Sequence, residues 1–242
     1  LQDLQLRNRE LQDFAFVASH DLQEPLRKVQ AFSDRLIKRF GASLDSQGID
    51  YLQRIDGAAH RMQVLIDDLL AYSRITSQGQ PFGPVDMNEV VSEVLSDLEV
   101  RIEESHAEVT VDELPRLHGD RTQLRQLLQN LVANALKFRD PQRQPLISVR
   151  AVPGKGSEPM AVLIVEDNGI GFDEIYRERI FVPFQRLHGR SEYEGTGIGL
   201  AVVRKIVERH GGRIVARGRL GEGARFDVVL PMEVEPGWAG GT

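Results

Sequence analysis

The chain contains no cysteine. That excludes disulfides and cysteine-ligated metal sites, and it suits a reducing compartment. It has no apolar run of about eighteen residues, so the sequence predicts no transmembrane helix and no direct membrane insertion. No secretory signal pattern is visible either, and a cytoplasmic setting is the expectation. Basic residues are not in excess. Lys and Arg number 30 against 36 Asp and Glu, a formal net charge of -6. Nucleic acid is therefore not an expected partner, because its binders usually present a basic surface. What the chain does have is enough apolar material for a core. Its 242 residues are 41% hydrophobic and 27% charged, which allows one or two domains.

Two periodicities divide the sequence. Residues 1–77 contain no convincing strand. Leu4, Leu11 and Ala18 are seven apart, with Leu1 and Phe14 offset, which is the spacing of a coiled-coil seam. The opening, "LQDLQLRNRELQDFAFVASH", looks like a cut within a longer helix, so an upstream module is expected. The stripe resumes after Pro25 with Leu26, Val29, Phe32, Leu36 and Ile37. "RFGASLDSQG" interrupts it, with Gly41 and Gly48 as breakers. A second stripe runs from about Ile49 through Leu52, Ile55, Ala59, Met62, Leu65, Ile66, Leu69 and Tyr72. Two such helices make an antiparallel hairpin, and one hairpin cannot bury both stripes. Two copies paired as a four-helix bundle can, so a homodimer is expected.

"TSQGQPFGP", Thr76 to Pro84, is a linker by composition. Beyond it the pattern becomes mixed α/β. Asp86 and Glu89 have capping-box spacing at the head of one helix, and Asp120 caps another, "GDRTQLRQLLQNLVANALKF". "AEVTV", "PLISVRAV" and "MAVLIVED" read as strands, and "GRIVARGRL" with "GARFDVVLPM" as a hairpin across "GEG". "TGIGLAVVRKIVERHG" reads as a helix that stops at Gly211. The expected boundaries are 1–77 for the helical hairpin, 78–84 for a linker, 85–235 for an α/β domain and 236–242 for a loose tail.

The second half holds the chemical signals. "DNGIG", Asp167 to Gly171, follows an apolar strand, so its carboxylate can accept from an amine while its glycines admit a ligand to the backbone. Alone, the alternative is a simple turn. "GTGIGL", Gly195 to Leu200, opens a helix but follows a polar segment, which argues against a dinucleotide fingerprint. A loop with a helix N-terminus remains, and that suits phosphates. Asn130 and Asn134 are four apart on one helical face with Lys137 near it. Their oxygens and ammonium suit a hydrated magnesium ion and a phosphate; the bland alternative is a polar helix face.

"SHDLQEPLR", "NLVANALKF", "DNGIG", "FVPFQRL", "GTGIGL" and "GEGARF" fall in that order between about residues 16 and 230. In this combination the sequence resembles the catalytic core of a sensor histidine kinase, especially those of bacterial phytochromes and PAS-linked kinases. The resemblance implies a multidomain fold, all-α then α/β. A helical hairpin forms a dimeric four-helix bundle and precedes a two-layer α/β sandwich of the gyrase, Hsp90 and histidine-kinase ATPase type. It implies autophosphorylation from ATP with Mg2+, and transfer to an aspartate of a response-regulator receiver. It also implies an upstream sensor, a light-sensing one by the phytochrome likeness. His20 would be the phosphoacceptor and Asp21 the group that orients it. Asn134 would bind magnesium, with Asn130 in the same box and Lys137 on phosphate. Asp167 would take the adenine amine, and Gly169 and Gly171 would shape the pocket. Phe181 and Phe184 would underlie the mobile lid, Gly195, Gly197, Gly199 and Leu200 its glycine-rich end. Arg186 and Arg190 would lie in the lid within reach of phosphate. The alternative reading is a nucleotide-binding dimeric signalling module with little kinase activity, in which His20 is an ordinary surface residue.

Overall fold

The computed structural model describes residues 22–77, 79–154, 159–187, 189, 193 and 195–233. His20, Asp21, Arg190, the upstream seam and the tail from Pro236 lie outside the described residues. The chain divides into two compact units, Leu1–Ser77 and Gln78–Thr242.

The first unit is a pair of helices, α1 over 22–40 and α2 over Ser46–Ser77, joined by a 3-10 turn at Gly41–Ser43. Gly48, expected as a breaker, lies inside the first turn of α2. Asp45 explains this: its Oδ1 accepts from the Gly48 amide at 2.7 Å, satisfying a donor that the helix start would otherwise leave open. Between the helices, Gln23 donates to Asp67 at 2.7 Å. Leu26, Ala59, Leu70 and Ile75 are buried, but Phe32 is 60% exposed, and Leu36, Phe40, Tyr51, Ile55 and Met62 are exposed too. One hairpin thus leaves much of its apolar stripe in water, which is costly at about 25 cal/mol per Å².

The second unit has a five-stranded sheet in the order β2-β4-β5-β7-β6. The strands are β2 Glu108–Val111, β4 Leu146–Pro153, β5 Met160–Asp167, β6 Arg213–Arg219 and β7 Gly223–Pro231. Only the β2–β4 pair is parallel. Two helices, α5 Arg121–Lys137 and α6 Gly199–Arg209, cover the sheet through apolar faces, and α3 Met87–Asp97 packs beside α5. Val90, Val94, Leu124, Leu127, Leu128, Leu131, Val203 and Ile206 are almost wholly buried between the layers. Val152 and Val215 remain exposed, as in a sheet with one solvated face. The pattern from Met87 onward reads as one helix, but Leu98 divides it. Its backbone (φ -100°, ψ 3°) separates α3 from α4, Glu99–Ser105, which buries none of its residues.

A small antiparallel sheet was not foreseen. β1, Gly83–Asp86, pairs with β3, Arg116–Gly119. Gly83 and Pro84, assigned by composition to the linker, therefore belong to a strand. Proline is tolerated there because a two-stranded sheet has only edges. The residues just before it are fastened as well. The Gln80 amide donates to Asp120 Oδ2 at 2.6 Å. Arg209 donates to Gln80 O at 3.1 Å, to Asp120 Oδ2 at 3.1 Å and to Gln123 Oε1 at 2.7 Å. Phe82 stacks on the His210 ring at 4.5 Å. His210 Nε2 accepts from the Asp120 amide at 3.0 Å, so the ring is neutral with its proton on Nδ1, directed at Ile206 O. Burial pushes the His210 pKa down, which agrees with that state. Asp120 Oδ1 meanwhile caps α5 through Thr122 and Gln123. One carboxylate thus joins the incoming segment to the start of α5 and the end of α6.

Arg209→Gln should destabilise this unit by about 2 kcal/mol, the scale of hydrogen bonds to a charged group. Urea denaturation followed by a probe in this unit checks it; an unchanged midpoint would show that the junction carries no stability.

Candidate active site

The polar groups converge on the C-terminal half of α5. Asn130 and Asn134 are one turn apart there, and neither is fully exposed. Asn130 donates to Gln126 O at 2.9 Å. Its Oδ1 faces Gly199, where a Cβ would come within 2.8 Å. The Asn134 carboxamide has no side-chain hydrogen bond among the described residues, and a partly buried amide of that kind is available to a ligand. Lys137 Nζ lies 4.5 Å from the centre of the Phe138 ring, and a Cβ at Gly195 would fall 2.7 Å from it. Lys137 and Asn130 thus meet the glycine segment that enters α6.

The "DNGIG" loop meets the same end of α5. The Ile170 amide donates to Phe138 O at 2.9 Å, and a Cβ on Gly169 would lie 2.3 Å from that oxygen. Gly171 (φ +62°) packs so closely that a Cβ would be 1.9 Å from Arg219 O. Only glycine fits either place. Asp167, at the end of β5, accepts through Oδ1 from Gly169 N at 2.8 Å and Ala224 N at 3.3 Å. Its Oδ2 has no partner among the described residues. Burial raises the Asp167 pKa to about 6; the two backbone donors oppose the rise and Glu166 adds to it. A half-buried carboxylate with one oxygen fixed and the other open is an acceptor for an amine.

The segment before α6 is organised by backbone geometry. Gly195 (φ +132°) and Gly197 (φ +79°) take conformations that other residues resist. The Ile198 position that begins α6 makes no side-chain cap bond, which leaves the first α6 amides, at Gly199 and Leu200, to an anion. The two aromatics of "FVPF" separate. Phe181 is 3% exposed and meets Phe226 edge-on, whereas Phe184 is 52% exposed with φ +64° and donates its amide to Gly197 O at 3.1 Å. Phe181 is core and Phe184 is surface. Arg186 directs its guanidinium at carbonyls of this segment: Gly195 O at 2.6 Å, Gly189 O at 3.3 Å, and Tyr193 O. Sequence reasoning passed over Phe138 and Tyr193, whose rings meet at 5.0 Å, and Arg143, which bonds the "DNGIG" loop. The aromatic following Lys137 was a usable signal; nothing in the sequence marked Arg143.

Residues 10–78 match the His Kinase A (phospho-acceptor) domain, and residues 119–234 match the histidine kinase-, DNA gyrase B- and HSP90-like ATPase. The chain belongs to the sensor histidine kinases. Its α/β unit is the ATPase sandwich of that family, and its helical unit the phosphoacceptor hairpin. Cyanobacterial phytochrome A of Nostoc sp. is 44% identical to this kinase core over 95% of the chain and 30% of its own length. Phytochrome-like protein Cph1 of Synechocystis sp. is 42% identical over 96% and 30%. The chain therefore spans about a third of these relatives. Among solved structures, full-length ShkA in complex with AMPPNP matches with a TM-score of 0.70 and 25% identity, over 92% of this chain and 46% of that one. No described helix of the kinase core is long and apolar enough to cross a membrane.

Proposed function

We propose that this chain transfers the γ-phosphoryl group of ATP to His20 and passes it to an aspartate of a response-regulator receiver. Asp167 carries the reading: backbone amides fix one carboxylate oxygen and leave the other open, which suits the adenine amine. The glycines at 195, 197 and 199 and the start of α6 suit the phosphates, with Lys137 beside them. Among the described residues no three His, Asp or Glu side chains cluster as a metal site. Magnesium would then be held by substrate phosphates, with the Asn134 oxygen as a protein ligand and Asn130 next to it; such sparse protein ligation is usual for this ion. Bound there, it would supply charge neutralisation on the phosphates.

In the transfer, a bond forms between an unprotonated imidazole nitrogen of His20 and the γ-phosphorus. The bond from that phosphorus to the bridging oxygen breaks, and its electron pair leaves with ADP. A neutral imidazole needs no base to begin this attack, and Asp21 would hold its tautomer. The exposed apolar stripes of α1 and α2 support a homodimer as the working form, since a second copy would cover them. The phytochrome relatives, of which this chain covers 30%, support a light-sensing module in the rest of the full-length protein.

The chain labelled with γ-labelled ATP and then mixed with a purified receiver should lose its label to the receiver. A receiver with Asn in place of its acceptor aspartate should take none. Label that stays on the kinase with every receiver tried from the same genome would remove the transfer step, and a chain that binds ATP without acquiring label would leave a nucleotide-binding dimeric module instead.

A further inference from the structure

The "DNGIG" loop carries Asp167 but does not hold itself in place. Past Asn168, which accepts from the Leu146 amide at the start of β4 at 2.8 Å and donates to Gln144 O just before it at 2.9 Å, it runs against the β6–β7 turn. There the Gly221 amide donates to Ile170 O at 2.7 Å. The second tie between loop and turn is Arg143. Its Nη2 donates to Gly169 O at 3.1 Å and to Gly221 O at 2.7 Å. One nitrogen thus joins two backbones 52 residues apart in sequence. The guanidinium is aimed beforehand: its Nε pairs with Asp140 Oδ2 at 3.1 Å, and Asp140 also turns the local backbone by accepting from Gln142 N at 2.9 Å. Arg143 is 38% exposed and Asp140 25% exposed, so this is a surface brace beside a half-buried carboxylate.

The consequence reaches Asp167 through one residue. Gly169 offers its carbonyl to Arg143 and its amide to Asp167 Oδ1. Fixing the carbonyl fixes the peptide groups beside it, and with them the amide that holds Oδ1 and so aims Oδ2. We infer that Arg143 is a positioning residue that sets adenine selectivity by bracing Gly169 and Gly221. The inference rests on Asp167 accepting from the adenine amine. A site built to accept from an amine discriminates strongly against a ligand lacking it, and it does so only while its acceptor stays aimed. Hypoxanthine carries a carbonyl where adenine has the amine, so inosine nucleotides read this aim directly. Arg143 acts by geometry: the shift of the Asp167 pKa comes from burial, two backbone donors and Glu166.

The test is titration of the whole chain with ADP and with inosine diphosphate, both with magnesium, for wild type, Arg143→Gln, Arg143→Lys and Asp167→Asn. In wild type the ratio of the two dissociation constants should favour adenine. Arg143→Gln should lower that ratio by about tenfold, the scale of one lost charge-assisted hydrogen bond. Its affinity for inosine diphosphate should hardly change, and the pH midpoint for ADP should stay where it is. Arg143→Lys keeps the charge but not the fork and should lie between. An equal fall for both nucleotides, or an unchanged ratio, overturns the inference. A wild-type ratio that survives Asp167→Asn overturns the reading of Asp167 itself, and the inference with it.

Discussion

Adenine-nucleotide affinity should fall as the pH drops through about 6, by up to tenfold per unit, and Asp167→Asn should remove both the dependence and most of the affinity. The cause is the half-buried carboxylate, whose pKa stands at about 6 instead of 3.8. An amine donor favours the ionised form, so binding takes up the free energy of deprotonating Asp167 wherever the site is protonated beforehand. Because the folded chain holds this proton more tightly than the unfolded chain, the group favours folding below pH 3.8, and this contribution is lost as the pH rises through about 6. Asparagine cannot substitute. The amides of Gly169 and Ala224 require an acceptor, so its oxygen turns to them and its amino group faces the adenine amine, donor against donor. The loss should be roughly 100-fold, corresponding to about 3 kcal/mol for a charged hydrogen bond replaced by an unpaired donor. Titration with a fluorescent adenine nucleotide from pH 5 to 8 checks both parts. A flat wild-type profile over that range would contradict the assignment.

Asn134→Ala should lower phosphoryl transfer by about 100-fold, the usual effect of removing one positioned polar group from a transferring centre. It should leave folding intact, because the carboxamide has no hydrogen-bond partner among the described residues and its removal strands none. Without magnesium, ADP should bind wild type and variant alike, through Asp167. With magnesium, wild type should tighten and the variant should not. A variant that responds normally to magnesium would transfer the ligand role elsewhere, with Asn130 next in line on the same face.

The large division of the chain was legible because it is local. A 3.6-residue stripe up to Tyr72 and alternating strands after Val85 can be read in short windows. The same holds for the caps at Asp86 and Asp120, each of which bonds amides two or three residues on. The glycines were legible for a different reason: Gly169 and Gly171 sit where backbones meet at distances that exclude a Cβ, and such positions leave a compositional mark. What escaped depends on partners far along the chain. Gln80 and Phe82 look like linker until Arg209 and His210, about 130 residues later, close on them. β1 needs β3 to be a strand at all, and its Gly-Pro start argues against one locally. Arg143 is an ordinary loop residue until its two carbonyls are known. Phe181 and Phe184 share one motif and part company because one turns inward and the other takes a left-handed backbone.

Incubation of the chain with γ-labelled ATP and magnesium, followed by mapping of the labelled atom, tests the central claim most directly. Wild type should carry one acid-labile, base-stable phosphoryl group per acceptor site, located on the imidazole of His20. His20→Gln should carry none while binding ADP as wild type does. Label on the His20→Gln chain, or a wild-type chain that binds ATP and never acquires label, would contradict the account.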